Sequence, residues 1–149
     1  MGSSTTDDST LALKASMLMI QSGQFERAKQ LKDLGNKAWN DGKLSEAEKY
    51  YSDGLEMAPD LRTLWTNRAI CRIKMEKYEE AISDCDSALK LDPKCDKAIT
   101  EKGHALRNLV NLMDRYMAKF IWVSGATSVK KMHFITFLSY CRYLVSFII

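Results

Sequence analysis

Histidine and cysteine are among the residues of this chain whose side chains could hold a metal or carry out catalysis. The two histidines, His104 and His133, have no partner carboxylate or cysteine at the spacing of a metal site. The sequence contains no G-x-S-x-G nucleophile motif, no glycine-rich phosphate loop and no H-E-x-x-H zinc motif. We therefore expect no metal, no cofactor and no catalytic site, which indicates that the protein is not an enzyme.

The four cysteines, Cys71, Cys85, Cys95 and Cys141, show neither C-x-x-C spacing nor the density of a small disulfide-stabilised domain. They are expected to be reduced thiols in a reducing compartment. The first ten residues are polar and lack the basic-then-apolar order of a secretory signal. Both observations predict a cytoplasmic protein.

The charged residues are balanced in the middle of the chain and unbalanced at its end. Of 22 basic and 19 acidic side chains in 149 residues, residues 25–112 hold 16 of each sign. The positive excess lies in residues 113–149, where five basic residues accompany Asp114. Because a nucleic-acid surface needs clustered lysine and arginine, this balance argues against a nucleic-acid partner. The length suits one small, mostly helical globular domain.

An internal repeat defines the elements that must position any binding residues. Shifting the sequence against itself by about 34 residues aligns identical or small residues. The aligned pairs are Ala47 with Ala81, Leu55 with Leu89, Pro59 with Pro93, and Gly54 with Ala88. Helix-turn-helix repeats with this punctuation typically have the same period, about 34 residues. The expected fold is therefore an all-α helix-turn-helix solenoid.

Two complete units are predicted, one over residues 28–61 and one over residues 62–95. In the first unit, apolar residues at helical spacing precede the turn signal Asp41-Gly42, and a second helix ends before Pro59. The second unit repeats this order. Small residues would let the paired helices approach closely. They are Gly35, Ala47, Gly54, Ala69, Ala81 and Ala88.

The segments that flank the two units are less regular. A third unit begins in register with Gly103, but Arg115 occupies a small-residue position and no proline follows, so only a partial repeat is predicted. Apolar residues from Met113 onward recur at three- and four-residue spacing, which predicts an amphipathic helix in place of the missing half. Before the first unit, residues 11–21 are predicted to form a short leading helix that is capped by Ser9 or Thr10.

These units resemble the tetratricopeptide repeat family over about residues 28–109, a little more than half of the chain. The matching residues are Leu31, Leu34, Gly35, Ala38, Ala47, Tyr51 and Pro59 in one repeat, and Trp65, Ala69, Tyr78, Ala81, Ala88 and Pro93 in the next. Arg72 stands where an aromatic residue is usual, and Cys85 stands where Phe or Tyr is usual. The domain assignment is an N-terminal polar segment and short helix over 1–24, the repeat domain over 25–112, and an irregular apolar C-terminal segment over 113–149.

The resemblance also implies a peptide-binding site. In chaperone adaptors of this family, lysine, asparagine and arginine side chains grip the terminal carboxylate and the acidic side chains of a peptide. The matching residues here are Lys32, Asn36, Asn67 and Lys97. Two ammonium groups and two amides suit a doubly charged C-terminal Asp, because charge-assisted hydrogen bonds are short and strong. Glu101 replaces the family's arginine and would repel this ligand, while Lys102 points about 100° away around the helix.

The function that this resemblance implies is a co-chaperone-type adaptor whose groove binds an acidic C-terminal peptide. The implied partner is a heat-shock chaperone of the 70/90 kDa class, whose chain ends in Glu-Glu-Val-Asp. Two alternatives stay open. One is a non-catalytic scaffold in the assembly of a larger complex such as axonemal dynein arms. The other is the adaptor half of a peptidyl-prolyl isomerase or phosphatase whose catalytic domain is missing from this chain.

Residues 132–149 are largely apolar, and three interpretations of them stay open. They could form a membrane tail anchor, a capping helix on the repeats, or a splice-derived end. Arg142 lies near the middle of this run, where a charge is costly in a bilayer. Membrane contact through these residues is therefore the weaker expectation.

Overall fold

The computed structural model describes residues 5–124, which form α-helices joined by short turns. The helices are α1 (Thr5–Asn40), α2 (Leu44–Met57), α3 (Arg62–Lys74), α4 (Tyr78–Leu91) and α5 (Asp96–Ser124). Within residues 5–124 there is no β-strand. The all-α, helix-turn-helix fold that the repeat period predicts is confirmed.

The described chain divides between Leu64 and Trp65 into two compact units. The first unit contains α1 and α2. The second contains α4, α5 and most of α3. Each unit has its own buried residues.

The core of the first unit forms where the C-terminal half of α1 packs against α2. Ala28 and Ala47 are fully buried, and Tyr51 is 2% exposed. Gly35 lies against the Tyr51 ring: a Cβ at this position would collide with the ring Cε1 and lie 2.7 Å from Cδ1. This close approach requires a residue without a side chain.

The second unit has two clusters of buried small residues. In one, Ala69, Ala81, Cys85 and Ala105 pack together with Ile73 and Ile82. In the other, Ala88, Cys95 and Ala98 pack with Trp65 and Leu89. The small residues predicted at helix contacts are buried in both units. Short side chains therefore mark the places where these helices meet.

The turns inside the two repeats have the same backbone hydrogen bonds at equivalent positions. The Lys43 amide donates to the Ala38 carbonyl over 2.9 Å, and the Lys77 amide donates to the Arg72 carbonyl over 2.9 Å. The residue before each donor is left-handed, with φ of +77° at Gly42 and +61° at Glu76. This is the helix-ending motif that glycine favours.

The predicted leading helix is present, but it is continuous with the first repeat. α1 runs from Thr5 to Asn40 without a break. Ser9 and Thr10 lie inside α1, so the prediction that one of them caps the helix was wrong. Gly23 is the one glycine between residues 5 and 34, and its cost of about 1 kcal/mol relative to alanine does not end a helix.

The partial third repeat is one long helix rather than a helix and a turn. The position of the repeat turn falls at Val110, one repeat period after Glu76. Because a β-branched residue rarely adopts the left-handed conformation, α5 continues through this position. Residues 113–124 are helical, as the apolar spacing from Met113 onward predicts. Met113 and Tyr116 of this extension are exposed.

The N-terminal half of α1 exposes apolar side chains. They are Leu11, Leu13, Met17, Leu18, Met19 and Ile20, each at least 62% exposed. Even so, no helix within residues 5–124 combines the length and the apolar character needed to cross a membrane. Residues 132–149, on which the three interpretations of the C-terminal run depend, lie outside the described residues.

Candidate peptide-binding site

Two of the predicted binding residues meet in the second unit. Asn67 lies on α3, and Lys97 lies in the first turn of α5. The Lys97 ammonium donates a hydrogen bond to Oδ1 of Asn67 over 3.0 Å. Lys97 is exposed and Asn67 is half-buried. The contact therefore holds a cation at the surface and uses one of its three N–H donors, which leaves two for solvent or a ligand.

The other two predicted residues lie together on α1 in the first unit. Lys32 and Asn36 are four residues apart and so share a face of the helix. The Tyr51 hydroxyl of α2 donates to Oδ1 of Asn36 over 2.9 Å, which fixes the orientation of the amide. The Lys32 ammonium lies 3.5 Å from Oδ1 of Asp33, an exposed neighbour that the sequence analysis overlooked. Such an exposed pair is weak and leaves the ammonium available for a stronger acid.

The fifth position of the expected site carries a carboxylate, and no neighbouring lysine replaces the missing arginine. Glu101 lies one helical turn after Lys97, with a side chain that is 22% exposed. The Lys102 ammonium pairs with Oδ1 of Asp86 on α4 over 2.7 Å. This pairing agrees with the prediction that Lys102 points away from Glu101. His104, expected to be isolated, lies with Nδ1 3.4 Å from Oε2 of Glu101.

The predicted binding residues thus form two pairs, Lys32 with Asn36 in the first unit and Asn67 with Lys97 in the second. Each pair supplies one ammonium group and one amide. Both groups can donate hydrogen bonds to a carboxylate, and those from the ammonium are charge-assisted. The chemistry available is recognition of an anionic group.

A family model for the tetratricopeptide repeat matches residues 63–95, which cover α3, the turn and α4. The chain is also 32% identical to a solved structure, the second tetratricopeptide-repeat domain of Spaghetti (RPAP3) bound to the HSP90 peptide SRMEEVD. That superposition covers 67% of this chain and 91% of the other, with a TM-score of 0.58. This chain belongs to the tetratricopeptide-repeat family.

Two further relatives show how far the similarity extends. The NMR structure of the second such domain of human RPAP3, in complex with the HSP70 peptide SGPTIEEVD, is 27% identical, with a TM-score of 0.55. It matches over 82% of this chain and 98% of that one. Human tetratricopeptide repeat protein 12 is 39% identical over an alignment of 108 residues, and the match covers 66% of this chain. The match spans only 15% of the length of that relative.

Beside Asn67, this tetratricopeptide-repeat chain has a buried ionic cluster that sequence analysis missed. Asp84 of α4 is 2% exposed. Its Oδ1 accepts from Nη2 of Arg68 over 2.7 Å, and its Oδ2 accepts from Nη1 of Arg72 over 2.8 Å. Arg68 also lies over the Trp65 ring, 5.0 Å from its centre. The spacing of four residues places Arg68 and Arg72 on one face of α3, and this was the signal in the sequence. Their shared partner, Asp84, could not be identified from it, because that contact depends on how α3 packs against α4.

The cysteines of this tetratricopeptide-repeat chain are placed for packing. Cys71, Cys85 and Cys95 are buried thiols. Burial raises the pKa of Cys85 to about 12, the charges of Asp84, Glu101 and Asp86 add to the increase, and Lys102 opposes it. Because the thiolate is the reactive form, Cys85 is a poor nucleophile at neutral pH. Among residues 5–124, no group of three histidine, cysteine or acidic side chains is placed to hold a metal.

Proposed function

We propose that this tetratricopeptide-repeat chain is a non-catalytic, cytoplasmic adaptor that binds the acidic C-terminal peptide of a protein partner. The proposed partner is a heat-shock chaperone of the HSP70 or HSP90 class. The observation that carries the proposal is the hydrogen bond between Lys97 and Asn67, which joins two residues 30 positions apart into one surface site. Its chemistry suits a carboxylate.

A C-terminal aspartate carries two carboxylates close together, and few other peptide groups present that charge. The Lys97 ammonium can form a charge-assisted hydrogen bond with one of them, a contact of about 1.5–3 kcal/mol. In the first unit, Lys32 and Asn36 supply a second ammonium and a second amide of the same chemistry. Asn36 is pre-oriented by its bond with Tyr51, so less conformational entropy is lost when it binds a carboxylate.

The related structures support this class of ligand. The two RPAP3 domains are solved with the peptides SRMEEVD and SGPTIEEVD. Both peptides end in Glu-Glu-Val-Asp. The proposal transfers this preference for a terminal aspartate to the Lys97–Asn67 pair of the present chain.

The test is isothermal titration of the full chain with the peptide Met-Glu-Glu-Val-Asp and with the same peptide amidated at its C-terminus. We expect the acid to bind with a micromolar Kd and the amide to bind at least about tenfold more weakly, because the amide lacks the terminal charge. Lys97→Ala should weaken binding of the acid by a similar factor.

Lys94→Ala is the matched control, since Lys94 is also an exposed lysine and lies three residues before Lys97. It should leave the Kd unchanged. Equal Kd values for the acid and the amide, or equal effects of the two lysine variants, would exclude recognition of the terminal carboxylate. The absence of any binding of this peptide would exclude a chaperone partner that ends in Glu-Glu-Val-Asp.

A further inference from the structure

We propose that Glu101 determines the sequence preference of the site by selecting a basic residue two positions before the C-terminus of the bound peptide. This inference rests on the proposed function, because it requires Lys97 and Asn67 to hold the terminal carboxylate. It concerns a different residue of the ligand. Among peptides that end in aspartate, a mixed-charge end of the type Glu-Lys-Val-Asp is therefore expected to bind more tightly than the Glu-Glu-Val-Asp end of the proposed chaperone partners.

The first argument is the distance between the two opposite charges on α5. Lys97 and Glu101 are four residues apart on one helix, which corresponds to a rise of about 6 Å. An extended peptide advances about 6.6 Å over two residues, and side chains two residues apart point to the same side. A peptide lying along α5 with its last residue at Lys97 therefore places the side chain two positions earlier at Glu101.

The second argument is the direction of the peptide. Lys97 is the second residue of α5, which begins at Asp96. A peptide that follows this helix away from Lys97 can only pass Glu101, because α5 does not extend in the other direction. Glu101 is then the first charged side chain of the same helix face that the upstream part of the ligand meets.

The third argument is that the charge of Glu101 is not cancelled by the lysine beside it. The Lys102 ammonium is held by Asp86 over 2.7 Å on the side facing α4. The neighbour of Glu101 on its own helix is His104, at 3.4 Å. Glu101 is also 22% exposed, and partial burial strengthens its interaction with an incoming charge relative to bulk water.

The experiment compares two peptides, Met-Glu-Glu-Val-Asp and Met-Glu-Lys-Val-Asp, by titration against the full chain. They differ only in the residue expected to face Glu101. We expect the lysine peptide to bind about tenfold more tightly, because one repulsive pair is replaced by an attractive one. Glu101→Arg should reverse the preference, and Glu101→Gln should abolish it. Glu79→Arg, the same charge change at an exposed position of α4, should preserve it.

The outcomes separate this inference from the proposed function. If both peptides bind through Lys97 but the glutamate peptide binds equally well or better, the inference is wrong and the proposed function stands. If neither peptide binds, the proposed function fails and the inference fails with it. If only the lysine peptide binds, Glu101 selects the ligand as inferred, and the partner is not a chaperone that ends in Glu-Glu-Val-Asp.

Discussion

The two helix pairs, α1–α2 and α3–α4, have the same turns but are held together by different side chains. In the first, Tyr51 packs on Gly35 and donates to Asn36. In the second, the equivalent residues are Cys85 in place of Tyr51 and Ala69 in place of Gly35. A small residue faces a large one in the first pair, and two residues of moderate size meet in the second.

The second pair adds charges where the first has none. Arg72 replaces Ala38, and Asp84 replaces Tyr50 at the corresponding positions. Together with Arg68, these residues form the buried ionic cluster between α3 and α4. The repeat therefore specifies where the helices meet. The residues at a contact can differ between the two pairs as long as their sizes and charges match.

The largest expected effect comes from removing the buried carboxylate of the second pair. Asp84→Ala should lower the free energy of unfolding by about 3–5 kcal/mol, because Arg68 and Arg72 would be left without their buried partner. Both arginine side chains are at most 16% exposed. Urea denaturation followed by circular dichroism measures the loss.

Asp86→Ala is the control for this prediction. Asp86 lies on the same helix and pairs with Lys102, but its side chain is 45% exposed. Its removal should cost less than about 1 kcal/mol. Similar losses in the two variants would contradict the view that the buried cluster holds the second pair together.

The next largest loss of stability is expected when the contact between Gly35 and Tyr51 in the first pair is changed. Gly35→Ala should cost about 1–3 kcal/mol, since its Cβ would collide with the Tyr51 ring. Adding Tyr51→Cys copies the alanine–cysteine contact of the second pair. The double variant should therefore lose less stability than the two single losses added together. Simple additivity in urea denaturation would show that the two positions do not compensate each other.

Cys85 gives the stability of the second pair a dependence on pH. Its pKa is raised from 9.0 to about 12, so the folded state favours the thiol and the unfolded chain ionises first. The stability that this provides is present below pH 9 and is lost as the pH rises toward 12. At about pH 10, the wild type should have lost about 1 kcal/mol relative to its value at pH 8.

The measurement is the free energy of unfolding of the wild type and of Cys85→Ala at the two pH values. Titrations of other groups occur in both proteins and cancel in the difference. The variant should lose less stability than the wild type over this interval. An equal loss would show that Cys85 does not titrate in this way.

The smallest effect concerns the turns, where the two pairs have the same backbone but different residues. Glu76→Gly should raise the free energy of unfolding by about 0.5–1 kcal/mol, because glycine adopts the left-handed conformation without steric cost. Gly42→Ala should lower it by about 1 kcal/mol for the same reason. Thermal unfolding measures both variants, and shifts of the same sign would contradict this account.

The repeat boundaries were predictable because their signals are local. Pro59 and Pro93 follow the ends of α2 and α4, and Gly42 lies in the first turn. Two helices are longer than the repeat pattern predicts, because neither α1 nor α5 is interrupted where a break was expected. Gly23 does not break α1, and Val110 disfavours the left-handed turn in α5.

The candidate site was predictable in part. The resemblance grouped Asn67 with Lys97, and the structure brings these side chains together. The bond from Tyr51 to Asn36 and the pairing of Lys102 with Asp86 did not follow from the sequence. Each of these contacts joins side chains on two different helices, so it depends on the rotation of both helices.

The amino-acid sequence alone specifies the repeat period, the positions of the turns and the small residues at helix contacts. These features depend on the conformational preferences and sizes of one or two neighbouring residues. Tertiary packing selects the carboxylate that binds Arg68 and Arg72, and it selects the acid that engages Lys102. The physical reason is that an ion pair forms between the side chains that helix packing brings within hydrogen-bond distance, and burial then makes that choice of partner costly to change.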